Sequence, residues 1–494
     1  MKIFLLSEET TLLRAAVIEG EKVKDFFVEK KTSPSLVGNI YKGKVKDVLP
    51  GMDAAFVDIG WERTAYLYIS EVIPPAVDVE QPEWEEGKNK LSIEKLLHKG
   101  EEVLVQVVRD PIGSKGPRLT SFITIPGRYL VLMPFSSYVG VSRRIAEAEE
   151  RRRLRKIAMK IKPKEMGLIV RTMAQGKNLS HLSQDLKYLL QIWKKAQYQA
   201  ERSSPPSLIY EEVELGMKLL RDFYESDSDC IITDSPSAFK RLKRFASQIL
   251  PRERVNIQLH RGGEGVFEAY HLEEELEKVL QPVVRLKSGG YITIYETEAL
   301  VSIDVNTGRF TGEESLEDTA FRINLEASEE IARQIRLRNL GGIIVVDFID
   351  MRVPAHRKKL ERHFLEKLKE DKARIQISRI TQFGLIQMTR ERTGPSLSHL
   401  LCDPCPYCGG SGMVKSLLTV ENEVIRKAKK VLKDKRIRSL KLVLAPELYR
   451  RFTHNEGWKK FPWTLRRKIV LEERENLKGN EYIFCLPTGK EIKV

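Results

Sequence analysis

Two short segments hold the residues best suited to chemistry. In Ser302-Ile303-Asp304-Val305-Asn306, polar and apolar side chains alternate. On a strand, Ser302, Asp304 and Asn306 share one face while Ile303 and Val305 share the other. The apolar face goes to a core, so Asp304 and Asn306 point outward together. In Ile343-Ile344-Val345-Val346-Asp347, an aspartate closes a continuous apolar run. That run predicts a strand buried on both faces. Asp347 then sits at its carboxyl end, where open α/β sheets place their sites. A crossover between the two strands puts both carboxyl ends on one edge, and Asp304 and Asp347 can converge. Two carboxylates and an amide oxygen, completed by water and phosphate, describe a magnesium site. Magnesium there would neutralise charge on a phosphate and lower the pKa of its bound water. Taken singly, each aspartate reads as a turn or helix cap; the pair together with Asn306 points to metal. Asp350 falls on the opposite strand face from Asp347 and reads as a cap for a helix beginning near Pro354.

A second cluster is Cys405-Pro-Tyr-Cys408-Gly-Gly-Ser-Gly, a thiolate knuckle. Glycines after the second cysteine let backbone N–H groups turn toward the sulfurs. Structural zinc wants four ligands, and the chain offers no second such pair. Three readings stay open. Two protomers could each give Cys405 and Cys408 to one zinc, Cys402 could join as a third local ligand, or the thiols could carry no metal. No fourth cysteine follows at iron–sulfur spacing, and the chaperone-type repeat that the octet also matches needs several copies. A shared zinc predicts a two-fold dimer.

Other residues suit a polyanion. Phe56 and Tyr66 fall on neighbouring predicted strands beside Lys42, Lys44 and Lys46. Aromatics exposed on a barrel face stack unpaired bases while lysines follow the backbone; a core position for Phe56 is the plainer alternative. Lys115, in a glycine-flanked loop, could reach phosphate or simply be solvated. Arg171-Thr172 follows a short apolar strand and could fork onto phosphate. The run from Arg143 to Lys164 reads as a basic, solvated helix.

These residues need elements to position them. Residues 1–34 read as two or three strands without a partner layer of their own. Residues 35–120 are all-β: Ile40–Val48, Ala54–Ile59, Tyr66–Ile69, Val103–Val108 and Leu119–Thr124 suit a small closed barrel of the OB kind. The stretch from Pro74 to Asn89 reads as an insertion. Residues 121–216 mix strands at 129–133 and 168–170 with a helix from Leu182 to Ala200. Residues 217–282 place helices around one strand, Cys230–Thr233. Residues 283–400 alternate strand and helix, with Ile323, Ala327, Ile331 and Ile335 on one helix face and Leu360, Phe364 and Leu368 on the next. A knuckle (401–414) and a small α/β domain (415–494) follow. The fold class is therefore multidomain α/β and α+β.

Composition agrees. The 494 residues are too many for one core, so on the order of three to five domains are expected. Lys plus Arg (84) exceed Asp plus Glu (69), a surplus that favours nucleic acid first and an anionic membrane second. Five cysteines at this length make no disulfide framework. No apolar run is long enough to span a bilayer, and the first residues make no signal peptide. A cytoplasmic protein without a membrane partner is expected.

At these residues the sequence resembles the ribonuclease E/G family. The resemblance covers roughly residues 1–415 and is carried by SIDVNTG (302–308), LEDTAFRINLEASEEIARQIRLRNLGGIIVVDFIDM (316–351), ARIQISRITQFGLIQMTR (373–390) and CPYCGGSG (405–412). It implies that Asp304 and Asp347 bind magnesium beside Asn306 in a deoxyribonuclease-I-like subdomain (283–400). It implies that Cys405 and Cys408 are half of an intersubunit zinc link. Arg171 and Thr172, in GLIVRTMAQGK, match a pocket that senses a 5′-monophosphate, with Gly127, Val131 and Arg143 as its other wall. Phe56, Tyr66 and Lys115 match the RNA grip of the barrel. Residues 1–34 with 217–282 would form a split ribonuclease-H-like subdomain. The implied activity is magnesium-dependent endonucleolytic cleavage of single-stranded, AU-rich RNA, stimulated by a 5′-monophosphate. Its substrates would be ribosomal RNA precursors and mRNA, in rRNA maturation and RNA decay, by a homodimer or homotetramer. Tyr66 stands where the family usually has Phe, and Cys402 adds a third thiol. No long Pro/Arg-rich tail follows residue 494, so the short, ribonuclease-G-like form is expected. Two alternatives are a non-catalytic RNA-binding protein associated with ribosomes and a metal-dependent phosphoesterase acting on DNA.

Overall fold

Three strands open the chain: β1 (Lys2–Glu8), β2 (Leu12–Glu19) and β3 (Lys22–Lys30), paired antiparallel in sequence order. β1 is apolar on both sides because it separates two cores. Phe4 and Leu6 enter one, and Leu5 enters the other. The computed structural model describes residues 1–72, 92–111, 115–225, 228–251, 253–308, 315–434, 437–454, 466, 468–477 and 479–492. The predicted insertion from Pro74 to Asn89 lies outside the described residues.

A barrel follows, made of β4 (Ile40–Leu49), β5 (Ala54–Asp58), β6 (Ala65–Tyr68), β7 (Glu102–Arg109) and β8 (Arg118–Thr120). Its order is β4-β5-β6-β8-β7, and β7 pairs back onto β4, so no edge is left open. β6 and β8 run parallel and the other pairs antiparallel. Val45, Ala55, Val57, Leu67, Val105, Val107 and Leu119 fill the interior. The strand predicted to reach Thr124 stops at Thr120. Ser121 turns its hydroxyl to the Glu71 carbonyl, 2.8 Å away.

The next sheet has order β11-β12-β10-β9, from β9 (Ile125–Pro126), β10 (Leu130–Met133), β11 (Val139–Val141) and β12 (Gly167–Val170). The basic run forms α1 (Ala148–Ile161), which buries only Leu154 and Ala158. α2 (Leu179–Arg202) begins where the Asn178 side chain accepts from the N–H groups of Ser180 and His181. β13 (Ser207–Tyr210) then adds to β4. After α3 (Leu215–Asp222) come β14 (Cys230–Thr233), α4 (Pro236–Ile249), β15 (Ile257–Leu259), α5 (Val266–Ala269) and α6 (Leu272–Leu280). β14 pairs parallel with β1, Ile3 opposite Cys230, which completes a five-stranded sheet β15-β14-β1-β2-β3. Among the described residues, 217–282 thus give two strands where one was expected. β15 has three residues, too few to show a period.

The region that carries the aspartates is a sheet of order β16-β17-β18-β19-β21-β20. Its elements are β16 (Val283–Arg285), β17 (Tyr291–Glu296), β18 (Leu300–Asn306), α7 (Leu316–Leu337), β19 (Gly342–Asp347), α8 (Pro354–Leu368), β20 (Ile375–Ile377), β21 (Leu385–Arg390) and the short α9 (Leu397–Leu401). One core joins Ile303, Val305, Ile344 and Val346 to Ile323, Ile331, Leu360 and Phe364, so α7 and α8 cover the same sheet face. The other face stays open, and Ile343 is 50% exposed. This corrects the expectation that β19 is buried on both faces. An apolar run shows that a strand is apolar, not that both its faces find a helix.

By contact density the chain divides into Met1–Leu401 and Cys402–Val494. The second unit holds α10 (Leu417–Val431), β22 (Leu440–Leu444), α11 (Pro446–His454), β23 (Ile469–Glu473) and β24 (Tyr482–Cys485). Its sheet order is β23-β22-β24, and its core gathers Val424, Leu442, Leu448 and Phe452. Among the described residues, no helix is long and apolar enough to cross a membrane.

Candidate functional site

β18 and β19 are parallel, and their register sets Asp304 opposite Asp347 at the carboxyl edge of the sheet. Both side chains are exposed. The Asn306 amide, two residues along the same face, donates to Asp304 Oδ2 at 2.6 Å. An amide that gives its N–H to one carboxylate keeps its carbonyl oxygen as an acceptor. Partial burial, and then the facing charges of Asp304 and Asp350, push the Asp347 carboxyl above its ordinary range. Facing carboxylates of this kind favour a cation between them. Hard oxygen donors that are few in number, and open to solvent, fit magnesium, which keeps several waters. Among the described residues, no group of three His, Cys, Asp or Glu side chains is arranged to hold a metal. The aspartate pair and its amide form a smaller set than that.

Two residues that the sequence reading did not single out fix this edge. Asn324, fully buried on α7, donates Nδ2 to the Ile349 carbonyl (2.8 Å) and accepts the Ile349 N–H at Oδ1 (3.0 Å). It therefore clamps the segment that leaves β19 after Asp347. Glu317, in the first turn of α7, accepts from the N–H groups of Arg352 (2.9 Å) and Val353 (3.1 Å) and meets His356 Nδ1 at 3.1 Å. Glu317, not Asp350, satisfies the start of α8, because the N-cap position is Val353. The expected capping function of Asp350 is thereby corrected. Asp350 stays at the edge, an exposed third carboxylate.

The phosphate-type residues gather elsewhere. The N–H of Arg171, just after β12, donates to the Tyr129 carbonyl (2.8 Å), and its guanidinium donates to the Gly127 carbonyl. A second guanidinium nitrogen lies 2.7 Å from Asp222. Burial opposes the Asp222 charge, but Arg221 and Arg171 outweigh it and hold the carboxyl below its usual range. The Thr172 hydroxyl lies 3.1 Å from that of Ser142, and the exposed Arg143 follows in the same turn. Val131 pairs with Ile169 one strand over. Gly127 is required here, since a Cβ would come within 2.6 Å of Asp185 Oδ2. Asp185 accepts from the N–H groups of Arg128, Tyr129 and Leu130 and so holds this turn. Ser142, Asp185 and Asp222 carry no local sequence signal. They matter through what lies beside them.

On the barrel, Phe56 and Tyr66 are opposite each other on β5 and β6, both half-buried. Tyr66 also meets Tyr68 edge-on, with ring centres 5.3 Å apart. Lys115 is exposed. Lys42 and Lys46 are paired with Glu102 (2.9 Å) and Asp58 (3.0 Å); Lys44, which is exposed, has no ion pair among the described residues.

In the second unit, Cys402 and Cys405 are exposed and Cys408 is half-buried. The Gly412 N–H donates to Cys408 Sγ at 3.2 Å. Donation from Gly412 and Gly410 holds the Cys408 thiol below its ordinary range. A thiol already biased toward thiolate fits zinc.

Residues 124–393 match the model described as the Ribonuclease E/G family. The chain is 40% identical over 418 residues to Ribonuclease G of Escherichia coli (strain K12), covering 85% of both proteins. It is 41% identical over 413 residues to Ribonuclease G of Haemophilus influenzae, covering 84% of both. It is 41% identical over 402 residues to Ribonuclease E of a Nostoc species, covering 81% of this chain and 57% of that longer protein.

Proposed function

The chain belongs to the ribonuclease E/G family and is an endoribonuclease; on that premise we propose that it cuts single-stranded RNA with magnesium at the edge formed by Asp304 and Asp347. The observation that carries this reading is the register of β18 and β19, which sets the two carboxylates opposite each other beside Asn306. Bound there, magnesium supplies charge neutralisation at the scissile phosphate and activation of the attacking water. The protein's own groups do the rest. Asn306 orients Asp304, and Asn324 and Glu317 keep the segment after Asp347 and the first turn of α8 in place. Phe56 and Tyr66 give the barrel an aromatic surface for unpaired bases, and Lys115 offers a cation to the backbone. Weak pairing keeps AU-rich RNA single-stranded and so accessible to such a surface.

The pocket of Gly127, Val131, Arg143, Arg171 and Thr172 receives a 5′-monophosphate in this reading. Arg171, oriented by Asp222 and the Gly127 carbonyl, keeps donors to spare, and Thr172 adds a hydroxyl. Cys405 and Cys408 give one half of a zinc site completed by a second copy, which makes a dimer, and dimers could pair into tetramers. The sheet that joins residues 1–34 to 217–282 supports the split ribonuclease-H-like assignment, and residues 283–400 support the deoxyribonuclease-I-like one. Ribosomal RNA precursors and mRNA in the cytoplasm are the expected substrates.

The test uses a short AU-rich RNA with either a 5′-monophosphate or a 5′-hydroxyl, incubated with magnesium. Internal cleavage that is faster on the monophosphate, and lost in Asp304→Asn and Asp347→Asn, is expected. Equal rates on both RNAs would remove the 5′-end pocket and keep the nuclease. Cleavage that survives in both variants would remove the aspartate edge.

A further inference from the structure

Phe383 is 69% exposed, although it belongs to a tightly hydrogen-bonded hairpin loop beside the Asp304–Asp347 edge. The loop joins β20 to β21. Leu385, two residues after Phe383, pairs with Asp347 itself. The Phe348 N–H donates to the Gly384 carbonyl at 3.4 Å, which ties the loop to the residue after Asp347. The Thr381 hydroxyl accepts from the N–H groups of both Phe383 (3.3 Å) and Leu385 (3.2 Å). Gly384 has a φ of +78°, and a Cβ there would come within 2.9 Å of the Phe348 carbonyl and 3.3 Å of Asp350 Oδ1. The loop is therefore fixed against the aspartate segment by several independent contacts, and it presents the ring to solvent.

A lone exposed ring is ordinary on a protein surface, but one held by hydrogen bonds against the Asp347 segment is placed to meet a ligand of that edge. An apolar protein partner would call for an apolar patch. Within residues 378–385, Phe383 is the one exposed large apolar side chain, and Arg379 and Gln382 beside it are exposed and polar. A lone aromatic face among polar and cationic neighbours suits an unpaired nucleobase, whose face is apolar and whose backbone is anionic. We propose that Phe383 is a base-stacking subsite for a nucleotide flanking the scissile phosphate. The proposal rests on the reading of the Asp304–Asp347 edge as the cleavage site. It needs neither the 5′-end pocket nor the barrel.

The experiment is steady-state cleavage of a 5′-hydroxyl single-stranded RNA by the full chain. Wild type, Phe383→Ala and Phe383→Trp are compared, on intact RNA and on RNAs with one abasic nucleotide at each position flanking the cleaved bond. Loss of one stacked base is expected to raise KM roughly ten- to a hundredfold in Phe383→Ala, with kcat little changed. Phe383→Trp should restore KM. One abasic position should raise KM for the wild type and add nothing further in Phe383→Ala, because ring and base form one contact. Unchanged KM in Phe383→Ala, or effects of variant and abasic site that multiply, would overturn the subsite. Unchanged KM together with loss of dimer would instead place the ring in a subunit interface. A wild type that cleaves none of these RNAs would remove the edge reading and the subsite with it.

Discussion

Asn324 reaches out of the core of α7 to hold the segment that follows Asp347. Its amide satisfies both the N–H and the carbonyl of Ile349, two residues after Asp347. Asn324→Leu would leave two half-buried backbone groups without this partner, at up to about 1–3 kcal/mol each. Thermal denaturation should show that loss. Cleavage measured well below the melting temperature should show kcat reduced more than KM is changed, since Asp347 loses its support. Lost stability with unchanged kcat would mean that the segment holds without the clamp. Asp304, Asn306 and Asp347 could be placed from sequence because strand alternation fixes which side chains share a face. Asn324 and Glu317 could not. A polar residue within an apolar helical stripe, or an acid in a first helical turn, looks the same whether it serves its own helix or another element. The same holds for Asp222, whose meaning depends on Arg171 some fifty positions earlier.

At the scale of elements, Glu8 ends β1 and fastens it to α4. Its carboxylate accepts from Ser235 (2.6 Å) and Ser237 (2.9 Å) and pairs with Arg241 (3.2 Å) and Lys31 (3.3 Å). Burial works to raise its pKa, but these hydrogen bonds and cations prevail and hold it at about 2. A carboxyl lowered on folding stabilises above its ordinary pKa, near 4.5, and loses that contribution as the pH falls from there toward 2. The carboxylate itself is half-buried, but its partners Lys31 and Arg241 are each about a third exposed, so screening reduces its worth to about 1 kcal/mol. Urea denaturation should therefore find Glu8→Gln less stable than wild type by about that amount near neutrality. The gap should narrow steadily below about pH 5. A gap that stays constant with pH would show that packing, not charge, is what Glu8 supplies. Long periodic elements such as α2, α7 and α8 were legible because many turns repeat one pattern. β15 is too short to repeat anything. The open face of β19 was hidden because sequence does not say on which side of a sheet its helices lie.

For the whole molecule, the knuckle gives a count that can be checked. If Cys405 and Cys408 are shared between two copies, metal analysis should find about one zinc per two chains. Cys408→Ser should lose zinc and sediment at half the mass. About one zinc per chain, with Cys402→Ser as harmful as Cys408→Ser, would instead give Cys402 a place in a local site. The α/β character of residues 283–400 could be read from its periodicity. The union of residues 1–34 with 217–282 could not be, since nothing local marks two strands as partners. Ile3 lies beside Cys230, and this has a consequence for synthesis. At about 5–20 residues per second, β1 leaves the ribosome on the order of ten seconds or more before β14 exists. The barrel closes on itself with nearby strands and can form in that interval. The apolar edge of β1 waits unpaired, an invitation to aggregation that chaperones would have to cover. A nascent chain arrested before Cys230 is therefore expected to be captured by chaperones, and one released beyond Leu259 is not.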